Sequence, residues 1–234
     1  MNSILRAMIV LTVCKVGTVC GEENHSKFSE EITKEVGCPY LIVKPEDFDE
    51  QKKYPLIIFL HGRGESGDDL KLVNVHGPFD FVKQHKLPVM IVAPQTPIGV
   101  NWDIDMLSAF VDHVLEELPV DRGQVYLTGL SLGGFGTWEL AARRPEVFAA
   151  IAPICGGGKP VQAELIQEIP LWAFHGAKDP VVPLKSTTDM INALYNLGSA
   201  PRLTVYPDAG HDSWTETYNN LMLYDWLLSQ KKEK

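Results

Sequence analysis

Six short runs of Val, Ile, Leu and their apolar neighbours, spaced so that helix-length segments fit between most of them, constrain this chain more than any other feature. They occupy residues 56–60, 89–93, 125–128, 150–154, 171–174 and 203–206. Runs that are apolar at nearly every position, instead of at alternate ones, read as strands covered on both faces. Between them lie helical patterns at 106–118, 132–143, 186–197 and, closing the chain, 214–228. In the first of these, Met106, Phe110, Val111, Val114, Leu115 and Leu118 fall on one stripe, and Pro119 ends it. Strand–helix alternation builds a mostly parallel sheet with helices on both faces, an α/β architecture. Residues 40–48 add edge-strand material, and 22–33 read as polar and loosely held. The stretch from 154 to 171, with Gly156-Gly157-Gly158, is a loop too short to hold a cap domain. No internal repeat or low-complexity segment interrupts the pattern.

The first residues do not belong to that pattern. Arg6 supplies a positive start, residues 7–13 are apolar, and Lys15 breaks the run far short of the roughly 20 residues a membrane-spanning helix needs. The segment reads as a signal peptide, residues 1–21, with Val19 and Gly21 before a cleavage at Glu22. Residues 22–234 then form one domain, and the expected location is secreted or periplasmic, with no stable membrane insertion. A formal charge of −9 argues against a nucleic-acid partner, which needs Lys and Arg to displace counterions from phosphate. Of four cysteines, Cys14 and Cys20 leave with the signal. Cys38 and Cys155 remain; their apolar neighbourhoods favour two buried free thiols, while an oxidising compartment leaves a bridge open. No Cys or His spacing suits a metal.

The chemistry concentrates at Gly129-Leu130-Ser131-Leu132-Gly133. This Gly-x-Ser-x-Gly pentapeptide follows a strand run and opens a helix pattern, the setting in which a serine is lifted onto a tight turn as a nucleophile. A plainer alternative is a Gly-rich turn with a helix-capping serine, which the flanking strand and helix make less economical. A serine hydroxyl needs a base, and the base needs a carboxylate to orient it. Asp179 and His211 each lie just past a later strand, so Ser131, Asp179 and His211 appear in the chain order that α/β-hydrolases use, at strand ends on one edge of the sheet. Asp208, Asp212 and Asp189 read as turn, capping and solvated residues. His61 and His175 close strands and suit structural hydrogen bonding; His25, His76, His85 and His113 suit the surface. Cys155 also ends a strand, but a thiol nucleophile would leave the Ser131 turn unexplained. The oxyanion of the reaction needs two donors. The amide of Leu132 is one; the loop His61–Gly67 supplies the other, from Arg63 or, failing that, Gly64. Trp102 and Trp214 lie near the same edge and are candidate substrate walls or helix-start packing, whereas Trp138, Trp172 and Trp226 read as core.

The segments LHGRGESGDD, GLSLGGFGTWELAARRPEVFAAIAPICGG, FHGAKDPVVP and YPDAGHDSWTETY together resemble secreted bacterial α/β-hydrolases of the phospholipase/carboxylesterase and dienelactone-hydrolase-like group. Feruloyl and acetyl-xylan esterases and some prolyl-oligopeptidase-type peptidases share these segments. The resemblance spans about residues 38–230 and implies an α/β-hydrolase fold, Ser131, Asp179 and His211 as triad, and no cofactor or metal. It implies a small-molecule or polysaccharide-linked ester as substrate. One departure is Leu132, where thioesterases and small carboxylesterases of the group carry Gln, so their acyl preferences do not transfer. A peptidase of the prolyl-oligopeptidase type and a catalytically silent binding module are the alternative readings.

Overall fold

The structure, a computed structural model, describes residues 34–232. The expected signal peptide and His25 lie outside the described residues, and the unit treated below is the compact one, Val36–Lys234. Seven strands form one sheet: β1 (Tyr40–Val43), β2 (Tyr54–Leu60), β3 (Met90–Pro94), β4 (Val120–Leu130), β5 (Ala150–Ile154), β6 (Trp172–Gly176) and β7 (Arg202–Tyr206). Their order is β1-β3-β2-β4-β5-β6-β7, with β1 antiparallel to β3 and every other pair parallel. All six apolar runs are strands, and the 40–48 segment contributes its first four residues. No cap domain is evident among the described residues.

Strand side chains alternate between faces, and the two faces are buried under different helices. Leu56, Ile58, Leu60 and Leu127 pack beneath α2 (Ile104–Glu117), α3 (Leu132–Arg143) and α5 (Lys185–Asn196). Ile57, Phe59, Ile91 and Tyr126 pack beneath α1 (Phe79–Gln84), α6 (Trp214–Tyr218) and α7 (Leu221–Ser229). Each such aliphatic side chain, fully removed from water, contributes about 1.5–3 kcal/mol. Helix starts are fixed locally: the Asp103 carboxylate accepts from the amides of Asp105 and Met106, both at 3.1 Å, at the head of α2.

The structure corrects the sequence expectation at three places. The single closing helix at 214–228 is two helices, because Asn220 turns extended and caps α7 by accepting from Met222 N at 3.0 Å. α1 and the short α4 (Ala163–Ile166) lie in stretches of six and four residues, too brief for a periodic signal. Cys38 and Cys155 are both free, but Cys38 is only half-buried.

The sheet reverses its winding between β2 and β4: from β2 the chain moves outward to β3 and then returns across β2 to begin β4. A crevice opens beyond the strand ends at such a point. The loops after β2 and β4 border it, and those after β5, β6 and β7 continue along the same edge.

Candidate active site

Ser131 stands directly after β4, with φ 51° and ψ −113°, a left-handed conformation that costs a side-chain-bearing residue of order 1–3 kcal/mol. The turn is over-determined by its surroundings. Ser131 N–H donates to Ile154 O at 3.0 Å, and α3 begins at the next residue. Glycine is required on both sides: a Cβ at Gly129 would lie 2.7 Å from Leu60 O, and one at Gly133 2.7 Å from His61 O. Although Ser131 occupies the capping position of α3, its side chain makes no capping bond. The hydroxyl instead meets His211, whose Nε2 is 2.9 Å from Oγ.

The other ring nitrogen, Nδ1, lies 2.7 Å from Asp179 Oδ2. A carboxylate accepts, so Nδ1 carries the hydrogen and Nε2 is left as acceptor for the Ser131 hydroxyl. The Asp179 side chain is wholly buried, and the main chain grips it from the other side: Oδ1 accepts from Val181 N–H at 2.8 Å and Val182 N–H at 2.9 Å. Burial pushes the carboxyl upward, but hydrogen bonds from His211, Val182 and Val181 outweigh it and hold Asp179 below the usual carboxylate value.

Two histidines that the sequence assigns to structure have specific tasks beside this array. His175 is fully buried; its Nε2 is 2.9 Å from Val182 O and 3.2 Å from Asp179 Oδ2, while Nδ1 meets the Thr187 hydroxyl at 2.7 Å. A carbonyl only accepts, so Nε2 carries a hydrogen that also faces the acid. The sequence signal was available in the four-residue spacing His175–Asp179 after a strand, but it does not reveal this contact. His61, also fully buried, donates from Nδ1 to Gly62 O at 2.6 Å and accepts the Thr96 amide at Nε2, 3.2 Å away. It thereby ties the loop after β2 to the end of β3. Burial lowers the His61 pKa from its ordinary value, against a smaller opposite effect of the Gly62 bond, which suits this neutral ring.

Arg63 opens a single helical turn, Arg63–Glu65, and Leu132 opens α3; first-turn amides have no acceptor within their own helix. Both residues line one cavity of about 470 Å³. Trp102 forms part of its wall, buried and tilted against His61 with ring centroids 4.8 Å apart. Trp102 therefore packs and lines at once. Trp214 stands edge-on to the His211 ring at 5.3 Å and against His76 at 5.7 Å. Trp138, Trp172 and Trp226 are core residues.

The rival acids are occupied elsewhere. Asp208 pairs with Lys178 and Asp189 with Lys185, while Asp212 accepts from the Thr215 amide and hydroxyl at the start of α6. His85 stacks on Phe81, His113 meets the Tyr40 hydroxyl, and His76 lies 3.7 Å from Glu65. Among the described residues, Cys155, Asp179 and His211 bring potential metal-ligating atoms within 4.8 Å of one another. Burial pushes the Cys155 thiol up to about 12, and the Nδ1 of His211 already holds a hydrogen. The thiol therefore keeps its proton and the His211–Asp179 pair is committed to a hydrogen bond, which makes this a poor ligand set. No helix among the described residues is long and apolar enough to cross a membrane.

Residues 83–226 match the model of the dienelactone hydrolase family. A probable feruloyl esterase C of Aspergillus niger is 26% identical over 188 residues, 77% of this chain and 70% of that protein. Feruloyl esterase C of Emericella nidulans is 27% identical over 191 residues, 74% of this chain and 67% of the other. The crystal structure of a thermostable esterase superposes with a TM-score of 0.77 at 34% identity, covering 83% of this chain and 59% of that one.

Proposed function

The chain belongs to the dienelactone hydrolase family, and from that membership we propose that it is a serine carboxylester hydrolase acting through an acyl-enzyme. The observation that carries the reading is the unbroken path from Ser131 Oγ to His211 Nε2, at 2.9 Å, and from His211 Nδ1 to Asp179 Oδ2, at 2.7 Å. As Oγ bonds to the ester carbonyl carbon, His211 takes the hydroxyl proton and Asp179 stabilises the resulting imidazolium. The Arg63 and Leu132 amides hold the oxyanion. Collapse of the tetrahedral species breaks the bond to the alcohol oxygen, which leaves with the proton from His211. Water then attacks the acyl-Ser131 ester by the same route, releasing the acid and restoring the hydroxyl.

The substrate is a small or carbohydrate-linked acyl ester. The feruloyl esterases among its relatives and the aromatic wall of Trp102 support this, with Trp214 as a second wall beside the base. Residues 22–234 form the catalytic domain, and residues 1–21 direct it out of the cytoplasm. The decisive experiment uses a fluorophosphonate probe and p-nitrophenyl acetate on the wild-type protein and on Ser131→Ala. The expected outcome is one adduct, at Ser131, and loss of all but trace hydrolysis in the variant. Labelling elsewhere, or a variant that hydrolyses normally, overturns the assignment.

A further inference from the structure

The cavity beside Ser131 is a trough along one face of α3. Leu132, Phe135, Gly136 and Glu139 line it, positions i, i+3, i+4 and i+7 of a single helix stripe. At a helical rise of about 1.5 Å per residue, Leu132 and Glu139 stand about 10 Å apart along the axis. Arg63, Asn101 and Trp102 form one wall, from the loops after β2 and β3; Gly157, Gly158 and Lys159 form the other, from the loop after β5. Arg63 donates through Nη2 to the side-chain oxygen of Asn101 at 2.8 Å, which joins the two loops of the first wall. Gly136 leaves room in the middle of the floor, where a Cβ would lie 2.9 Å from Trp102 Cδ1.

One end of the trough meets the nucleophile and the other is closed by charge. Leu132, at the near end, follows Ser131 directly. At the far end Lys159 crosses from the β5 loop and pairs with Glu139. Between the ends the lining is apolar, made of Trp102, Leu132 and the exposed ring of Phe135. An apolar chain gains with every methylene it lays on such a surface. It gains nothing on reaching an ion pair, whose charges it would strip of water without replacing their hydrogen bonds. His211 delivers the proton to the departing alcohol, and its neighbour Trp214, with His76 behind it, does not line the trough. The alcohol therefore leaves on the Trp214 side, and the trough is left to the acyl group.

We propose that the Glu139–Lys159 pair is a length stop for the acyl group: chains that end before the close of the second turn of α3 fit the trough, and longer ones must part the pair. The inference rests on the serine hydrolase reading above and adds the residues that set its acyl range. The stop is a soft one. Lys159 is exposed and Glu139 partly so, and ion pairs so placed are weakly held. A longer chain is therefore disfavoured by about fivefold and not excluded.

The kcat/KM of p-nitrophenyl decanoate divided by that of p-nitrophenyl hexanoate reads the stop, because the ratio cancels the fraction of active enzyme. A hexanoyl chain ends short of Glu139 and a decanoyl chain passes it. Glu139→Lys and Lys159→Glu each set like charges across the trough and open it, so each should raise the ratio about fivefold. The double variant restores the pair with its ends exchanged and should return the ratio to the wild-type value. Ratios unchanged in the single variants, or a double variant as open as either of them, overturn the proposal. The alcohol side supplies a second arm. Decyl acetate against ethyl acetate should give the same ratio in the wild-type protein and all three variants; a ratio that follows the charge swaps there overturns the assignment to the acyl group. p-Nitrophenyl acetate separates the two levels of inference. If the wild-type protein hydrolyses it while the decanoate ratio ignores the swaps, only the length stop fails. If it is not hydrolysed at all, the hydrolase reading fails and this one with it.

Discussion

His175 Nε2 lies 3.2 Å from Asp179 Oδ2, the same oxygen that receives the Nδ1–H of His211. One carboxylate oxygen therefore has two imidazoles beside it, the buried His175, bonded to Val182 O, and His211, bonded to the carboxylate and facing the Ser131 hydroxyl. The two contacts differ in what they do. Asp179→Asn keeps the shape but removes the charge that fixes the His211 tautomer, and kcat on p-nitrophenyl acetate should fall roughly 10⁴-fold. His175→Asn removes the buried imidazole that stands 3.2 Å from an acid still gripped by two main-chain amides, and kcat should fall about tenfold with KM unchanged. Equal losses in the two variants would refute this division of roles.

Gly133 has no room for a side chain. Its Cβ would run into main-chain atoms of Leu60, the last residue of β2, and of His61, the next, which cannot yield as a flexible side chain would. Gly133→Ala should cost about 1–3 kcal/mol or more and lower Tm by about 2–12 °C in a domain of this size. Calorimetry measures it, and a Tm within a degree of wild type would show that the turn relaxes freely.

Acid should destabilise the fold in two steps. His61 is held below its ordinary value of 6.5, so under that pH the unfolded chain binds a proton that the folded chain refuses. Stability then falls as the pH drops from 6.5 towards the lowered folded value. Asp179 is also held low; its contribution is complete above 3.8 and is lost as the pH falls through its folded value. Denaturant melts between pH 7 and pH 5 should show the first slope, and His61→Asn should flatten it.

Cys155 is fully buried, its thiol pushed up to about 12 by desolvation. The thiolate is the reactive form, so iodoacetamide at pH 8 should leave Cys155 untouched in the folded protein and alkylate it after unfolding. Peptide mapping decides between the two.

The sheet was legible in the sequence because a doubly covered strand has to be apolar throughout, as the runs in β2 to β6 are; the 203–206 run also marks a strand, but β7 is only half-buried and not covered on both faces. Leu132–Arg143 was legible to the residue, since the glycines before it and Arg143-Arg144-Pro145 after it bracket the helix. The closing helix was misread because Asn219-Asn220 interrupts neither the apolar stripe nor its period; the break comes from a side-chain cap, which periodicity does not register. At the site, residue type and chain order drew attention to Ser131, Asp179 and His211. The contact of His175 with Asp179 was hidden, because a buried histidine reads the same in sequence whether it meets a carbonyl or a carboxylate. The partner of Arg63 was hidden too: Asn101 lies 38 residues away, and only the fold brings it within reach.

The strands that present Ser131 and His211 are not equally secured. β4 is bonded on both sides, to β2 and β5, whereas β7, among the described residues, is bonded to β6 alone and forms the margin of the sheet. Marginal strands open locally at lower free energy than central ones. On gradual warming, the imidazole should therefore drift from the hydroxyl while the middle of the molecule is still intact. Heat inactivation would then begin as a reversible loss of alignment, recovered on cooling, some degrees before the fold itself gives way.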